Sequence, residues 1–133
     1  MLETTAWLQR YFVNDTFWAK PDGPVFIFIE GEGAANPLDA LIGEHMELAA
    51  VYNALVLVVE HRYYGASNPT PTLSTEDLKY LSSQQALGDL SQFYSFARTK
   101  WNLTDANTAI CFGGSYPGAL SSWFRGMDCY LPL

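Results

Sequence analysis

The stretch Thr108-Ala109-Ile110-Cys111-Phe112-Gly113-Gly114-Ser115-Tyr116-Pro117-Gly118 decides how this chain reads. Thr108 to Phe112 form a short apolar run that reads as a buried strand, and Ala119-Leu120-Ser121-Ser122-Trp123-Phe124 begin a helix. Between them the glycines permit a turn too tight for residues carrying a Cβ. A serine at the tip of so sharp a strand-to-helix turn is the nucleophile-elbow arrangement. The turn lifts Oγ out of the sheet, and the unpaired N–H groups of the helix N-terminus face whatever the serine attacks. Ser115 is thus the candidate nucleophile, and acyl transfer the candidate chemistry. The usual elbow has glycine two residues before and two after its serine. Gly113 meets the first requirement. Pro117 stands at the second, where the first turn of a helix tolerates proline.

Working outward, two further apolar runs match the strand before the elbow: Val25-Phe26-Ile27-Phe28-Ile29 and Ala54-Leu55-Val56-Leu57-Val58-Val59. Continuous rather than alternating apolarity predicts strands covered on both faces, as in parallel sheets. Leu8 to Val13 predicts another strand, set off by the turn residues Lys20-Pro21-Asp22-Gly23. Leu38 to Val51 predicts a crossover helix with Leu41, Ile42, Met46 and Leu48 to Ala50 as its apolar positions. Leu87, Leu90, Tyr94, Ala97 and Trp101 recur at helical steps and predict a second helix, to which Ser82 and Gln85 offer a capping box. Strand and helix alternate, which predicts an α/β fold with a mostly parallel sheet and crossover helices.

The 133 residues suffice for one domain with its own core. Fourteen acidic residues against seven basic give a net charge of −7, which sets nucleic acid aside as a partner. No apolar run approaches bilayer-spanning length, so no membrane role is expected. The opening Met1-Leu2-Glu3-Thr4-Thr5-Ala6-Trp7 has no basic n-region and does not read as a signal peptide. Two sequons, at Asn14 and Asn102, are glycosylation candidates, whereas Asn68-Pro69-Thr70 is disqualified by its proline. Cys111 and Cys129 match no metal spacing, and their pairing as a disulfide stays open.

Glu30-Gly31-Glu32-Gly33 follows the first core strand. In a hydrolase this loop passes near the elbow and lends an N–H to an oxyanion hole alongside that of Tyr116. A rival reading takes Gly31 and Gly33 as part of a dinucleotide loop, with Glu60 as the ribose-binding acid. Asn36 in place of the third glycine, and two carboxylates beside the pyrophosphate position, speak against it. His61, in Glu60-His61-Arg62-Tyr63-Tyr64-Gly65, lies at the sheet end where ligands bind, yet reads better as a histidine held by neighbouring aromatics and carboxylates. His45, between Glu44 and Glu47, reads as a surface residue. No metal and no cofactor are expected.

Six blocks in order carry a resemblance: Gln9-Arg10-Tyr11-Phe12-Val13-Asn14-Asp15, Gly23-Pro24-Val25-Phe26, Gly31-Glu32-Gly33, Glu60-His61-Arg62-Tyr63-Tyr64-Gly65 with Ser67, Leu81-Ser82-Ser83-Gln84-Gln85-Ala86-Leu87, and Phe112-Gly113-Gly114-Ser115-Tyr116 with Gly118. From about Leu8 to Arg125 the chain resembles the serine carboxypeptidase family of lysosomal prolyl carboxypeptidase, dipeptidyl peptidase II and thymus-specific serine protease. The resemblance implies an α/β-hydrolase with a helical cap inserted after the elbow region. It implies cleavage of peptides near a terminus, often after proline, in lysosomes or outside the cell. Ser115 would attack the scissile carbonyl, the Tyr116 N–H would hold the oxyanion, and Gly31 or Glu32 would lie near the second donor. The family's loop begins Gly-Gly-Glu-Gly, and Glu30 here replaces its first glycine.

In α/β-hydrolases an acid and then a histidine follow the serine. No histidine follows Ser115, and Asp128 lies in a divergent stretch and is no credible triad acid. The expectation is a partial catalytic domain over residues 1–125 with a divergent tail over 126–133, truncated after the elbow and inactive by itself. The alternative is a non-catalytic peptide-binding or decoy fragment. It would pair with a full-length relative, or with itself, through the exposed edge of the strand before Ser115.

Overall fold

The computed structural model describes residues 6–128. Four strands, β1 (Tyr11–Asn14), β2 (Val25–Ile29), β3 (Leu55–Val59) and β4 (Ala109–Phe112), make one sheet in the order β1-β3-β2-β4. β2 pairs parallel with β3 and with β4, while β1 runs antiparallel along the outer side of β3. Helices α1 (Glu44–Tyr52), α2 (Ser83–Lys100) and α3 (Tyr116–Asp128) complete the α/β fold.

Two of the apolar runs, β2 and β3, behave as strands with two covered faces, while β4 at the edge of the sheet is only half-buried and leaves Ile110 exposed. Val25, Ile27, Ile29, Leu55, Leu57 and Val59 pack with Leu87, Leu90, Phe93 and Ala97 of α2 and Leu120 and Phe124 of α3. Phe26, Val56 and Val58 face the other way, onto Ala40 and onto Met46 and Ala49 of α1. Chain direction dictates this division. From β2 the chain steps outward to β3, then returns past β2 to β4. Two crossovers of one hand that travel in opposite directions lay their helices on opposite faces. β2 is therefore the point where the strand order reverses, and the crevice beyond its C-terminal end is where such sheets bind ligands.

Three expectations need correction. The first strand begins at Tyr11 rather than Leu8: Leu8 is exposed, the Gln9 amide reaches over to the Glu60 carbonyl, and the Arg10 N–H donates to Ser67 Oγ. The region from Leu38 to Val51 is not one helix. A single 3-10 turn, Pro37–Ala40, is capped by the Asn36 side chain, and Gly43 at φ 107° separates it from α1. Leu41 and Ile42 consequently stay exposed rather than lining a helix. The turn also folds His45 inward, opposite to its surface reading. Its ring lies 4.2 Å from that of Phe28, and Nε2–H donates to the Asp39 carbonyl at 2.6 Å.

Helix α2 is capped as expected by Ser82, whose Oγ accepts from the Gln85 N–H, but Gln85 does not return the bond to the Ser82 backbone. Its Oε1 accepts instead from Arg62, 3.1 Å away. A charged donor outcompetes a backbone amide for that oxygen.

At the C-terminal ends of the strands, Glu60 is fully buried. It accepts from both Arg10 nitrogens that face it, from the Ala35 and Ala66 N–H groups at 3.0 Å each, and from Ser67 Oγ at 2.6 Å. Burial alone would raise its pKa, yet these donors hold it below the usual carboxylate value. Glu60→Gln turns an amide N–H₂ toward groups that are themselves donors. It should cost about 3 kcal/mol of stability, read as a lowered midpoint in urea unfolding. A midpoint shift under about 0.5 kcal/mol would mean that the carboxylate is not structural.

Candidate active site

The chain turns from β4 into α3 at Gly113-Gly114-Ser115, as the elbow reading requires. Ser115 is exposed and holds φ 55°, the left-handed region that a non-glycine residue visits at a cost. Its carbonyl already accepts the Ala119 N–H at 3.2 Å, so it stands at the helix cap. Pro117 has no N–H to offer, which leaves the Tyr116 and Gly118 amides as the donors of the first turn. At Gly113 an added Cβ would lie 2.5 Å from the Pro117 carbonyl oxygen, so only glycine lets the helix start fold back over the strand end.

The loop after β2 meets this turn. A Cβ at Gly31 would fall 2.7 Å from Pro117 Cγ, so the Gly31 backbone lies directly against the first turn of α3. The elbow's departure from Gly-x-Ser-x-Gly is thereby accommodated: the proline ring occupies space that Gly31 leaves open. The structure brings Ser115, Tyr116 and Gly31 to one end of the sheet, with Glu32 close enough for its charge to act on Tyr116 and His61.

The two histidines of the chain are both engaged elsewhere. His61 is buried; its Nδ1 lies 2.8 Å from the Arg62 carbonyl and its Nε2 lies 3.0 Å from the Tyr116 hydroxyl. Burial pushes its pKa below the ordinary 6.5, partly offset by its bond to that carbonyl and by Asp89. Neither His61 nor His45 hydrogen-bonds Ser115 among the described residues. Glu60 is wholly consumed by protein donors and has nothing left for a ribose, which removes the acid that the dinucleotide reading needs. Cys129 lies outside the described residues, so the disulfide question does. Among the described residues no group of three or more His, Cys, Asp and Glu could hold a metal ion.

Two features were not foreseen. Arg62 grips Asp89 through two bonds of 2.6 Å each, a buried ion pair tying the end of β3 to α2. Charged residues closing an all-apolar strand were its one sequence signal. The second is the Tyr116–His61 contact, formed by residues 55 apart in sequence.

The pattern described as Serine carboxypeptidase S28 matches residues 1–131. The chain belongs to the serine carboxypeptidase S28 family. It is 41% identical over 120 residues to human thymus-specific serine protease, covering 90% of this chain and 23% of that protein. Against the mouse thymus-specific serine protease it is 42% identical over 118 residues, covering 89% and 23%. Against human lysosomal Pro-X carboxypeptidase it is 33% identical over 120 residues, covering 88% and 24%. The chain spans roughly a quarter of the length of these relatives. Its α/β architecture is that of an S28 α/β-hydrolase.

Glu30, directly before Gly31-Glu32-Gly33, carries the oddest charge near the site. Burial first, then the neighbouring Asp39 carboxyl and the Glu60 charge, push its pKa from 4.5 to about 7. Its Oε1 is the one buried side-chain polar atom among the described residues without a hydrogen-bond partner. A carboxyl raised in the folded state contributes its full share of stability below pH 4.5 and loses it as pH rises through 7. Glu30→Gln should therefore raise the melting temperature at pH 8 and leave it nearly unchanged at pH 4.5. An equal shift at both values would contradict this assignment.

Proposed function

We propose that Ser115 is the nucleophile of a serine-type exopeptidase that cleaves peptides near a terminus, often after proline, through an acyl-enzyme. The observation that carries this is the exposed Ser115 at φ 55° on the strand-to-helix turn, with the Tyr116 amide behind it and the Gly31 backbone alongside. Tyr116 N–H is the first oxyanion donor, and the Gly31–Glu32 backbone supplies the second. The S28 membership and the name of one relative, Pro-X carboxypeptidase, support peptide as substrate and proline as a preference. No metal or cofactor enters the scheme, and neither nucleic acid nor a membrane is a partner.

The base is the missing part. With both histidines of the chain engaged away from Ser115, these 133 residues alone turn over substrate negligibly. Loss of the triad histidine costs on the order of a million-fold in turnover. The test compares this chain with a longer polypeptide that adds the acid- and histidine-bearing part of a relative. The longer polypeptide should label with a fluorophosphonate and trim proline-containing peptides from one end, and Ser115→Ala should abolish both. Labelling that survives Ser115→Ala would refute the nucleophile. Fast labelling of the 133-residue chain would refute its incompleteness.

A lysosomal or secreted setting goes with this reading. Of the two sequons, Asn102 is exposed at φ 52°, whereas the Asn14 amide nitrogen donates to the Ala40 carbonyl at 2.7 Å. Asn102 is the better glycan acceptor. In secretory expression Asn102→Gln should remove one glycan's mass, while Asn14→Gln should leave the mass unchanged.

A second reading, a non-catalytic fragment pairing with another chain, is favoured by one observation. β4 is the edge of the sheet among the described residues, and its Ile110 is exposed. Such pairing predicts concentration-dependent sedimentation that Ile110→Lys suppresses. A monomer at every concentration would dispose of it.

A further inference from the structure

We propose that His61 is a positioning residue for the oxyanion site: it accepts the Tyr116 hydroxyl, fixes that ring, and so fixes the backbone N–H behind Ser115. The inference rests on Ser115 being the nucleophile. Its geometry stands on four observations.

The first is the tautomer. A carbonyl has no proton to give, so Nδ1, 2.8 Å from the Arg62 carbonyl oxygen, must carry the hydrogen. The ring is neutral and buried, which leaves Nε2 as a lone pair, and Tyr116 O–H donates to it across 3.0 Å. The second is the wall around the pair. Tyr64 packs edge-on against His61 at 5.3 Å between ring centres, and the Tyr116 ring lies at 5.5 Å. The third is leverage. Tyr116 is the first residue of α3 and follows a serine held at φ 55°, so its side chain and its oxyanion-facing amide share one peptide unit. The fourth is rigidity at the far end. Arg62, whose carbonyl orients the ring, is clamped by Asp89, by the Tyr80 carbonyl at 2.9 Å and by Gln85.

The charged and titratable groups facing His61 are Arg62, Asp89, Glu32, Tyr64 and Tyr116, and Glu30 and Glu60 line the same small cavity. Arg62 and burial keep the ring neutral, while Asp89 and Glu32 favour a proton. When the ring takes one, both nitrogens become donors and the Tyr116 hydroxyl must turn to present its oxygen. Positioning therefore weakens as pH falls through the His61 titration, below 6.5.

The test has two arms. In the 133-residue chain, ¹⁵N NMR should find His61 Nε2 unprotonated, with a resonance that moves in Tyr116→Phe. The order parameter of the Tyr116 amide should sit near a rigid ~0.85 in the parent and in His61→Gln, which keeps an acceptor, and fall toward about 0.6 in His61→Leu and Tyr116→Phe. In the longer polypeptide, labelling at Ser115 should slow about tenfold in His61→Leu and Tyr116→Phe and be largely restored in His61→Gln. An Nε2–H tautomer, or an unaltered Tyr116 amide in Tyr116→Phe, overturns the proposal. If the parent itself never labels, the peptidase reading falls, and the NMR arm still decides whether His61 orders the turn. Tyr116→Phe removes a single hydroxyl oxygen and keeps the ring, so it carries the test even if His61→Leu fails to fold.

Discussion

The Glu60 carboxylate accepts hydrogen bonds from Arg10, Ala35, Ala66 and Ser67 while excluded from water. An ion taken out of solvent carries a penalty of several kcal/mol that only close, well-aimed donors offset. Those donors belong to three separate segments: the start of β1, the loop after β2, and the turn after β3. The C-terminal end of the sheet is therefore assembled around one charge rather than around apolar contacts. Arg62 and Asp89 repeat the device one step further along, joining the same turn to α2. Partial exposure of the Arg10 side chain, 35%, lets that guanidinium keep some hydration while its head reaches inward.

This polar assembly determines how the site is built. β2 and β3 deliver their following loops to the end of the sheet where the strand order reverses, and β4 delivers the elbow to the same end. The Gly31 loop is held on one side by the Ala35 N–H bonded to Glu60, and on the other by contact with Pro117. A serine, a helix N-terminus and a backbone loop are thus brought together by forces that owe nothing to catalysis. The core packing beneath them, with Leu120 and Phe124 of α3 set against β2, β3 and α2, would hold the same geometry in a chain without a base.

How far the sequence could be read follows from this division of labour. Val25–Ile29 and Leu55–Val59 were legible because they obey a local rule, apolar on both faces means covered on both faces, whereas Ala109–Phe112 was legible as a strand but not as a half-exposed edge, which depends on what lies beside it. The strand-to-helix turn was legible because Gly113, Ser115 and the helix start are contiguous. His45 was misread because its burial depends on a 3-10 turn that Asn36 and Pro37 impose upstream, while its own neighbours Glu44 and Glu47 look solvated. Gln85 was half misread for a similar reason: its backbone obeys the capping rule while its side chain answers to Arg62, 23 residues away. The Tyr116–His61 pair joins two blocks that the sequence keeps apart, and no periodicity announces it.

Ser115 links the structural and the chemical accounts. A left-handed backbone on a residue with a Cβ costs roughly 1–2 kcal/mol, and a relaxed chain would give that strain up. It persists because the residues on both sides are fixed: β4 is hydrogen-bonded to β2, and α3 is anchored by the buried Leu120 and Phe124. Packing thus sustains a conformation that confers no stability of its own. The strain has one visible consequence, an Oγ presented to solvent with amide hydrogens behind it. A fold selected for stability alone would place glycine at position 115, where φ 55° costs nothing. Tyr63 carries similar strain at φ 67°, but its hydroxyl is committed to the Asp77 carbonyl; at Ser115 the strained residue is exposed beside a helix N-terminus, and that combination is the physical reason to look for chemistry there.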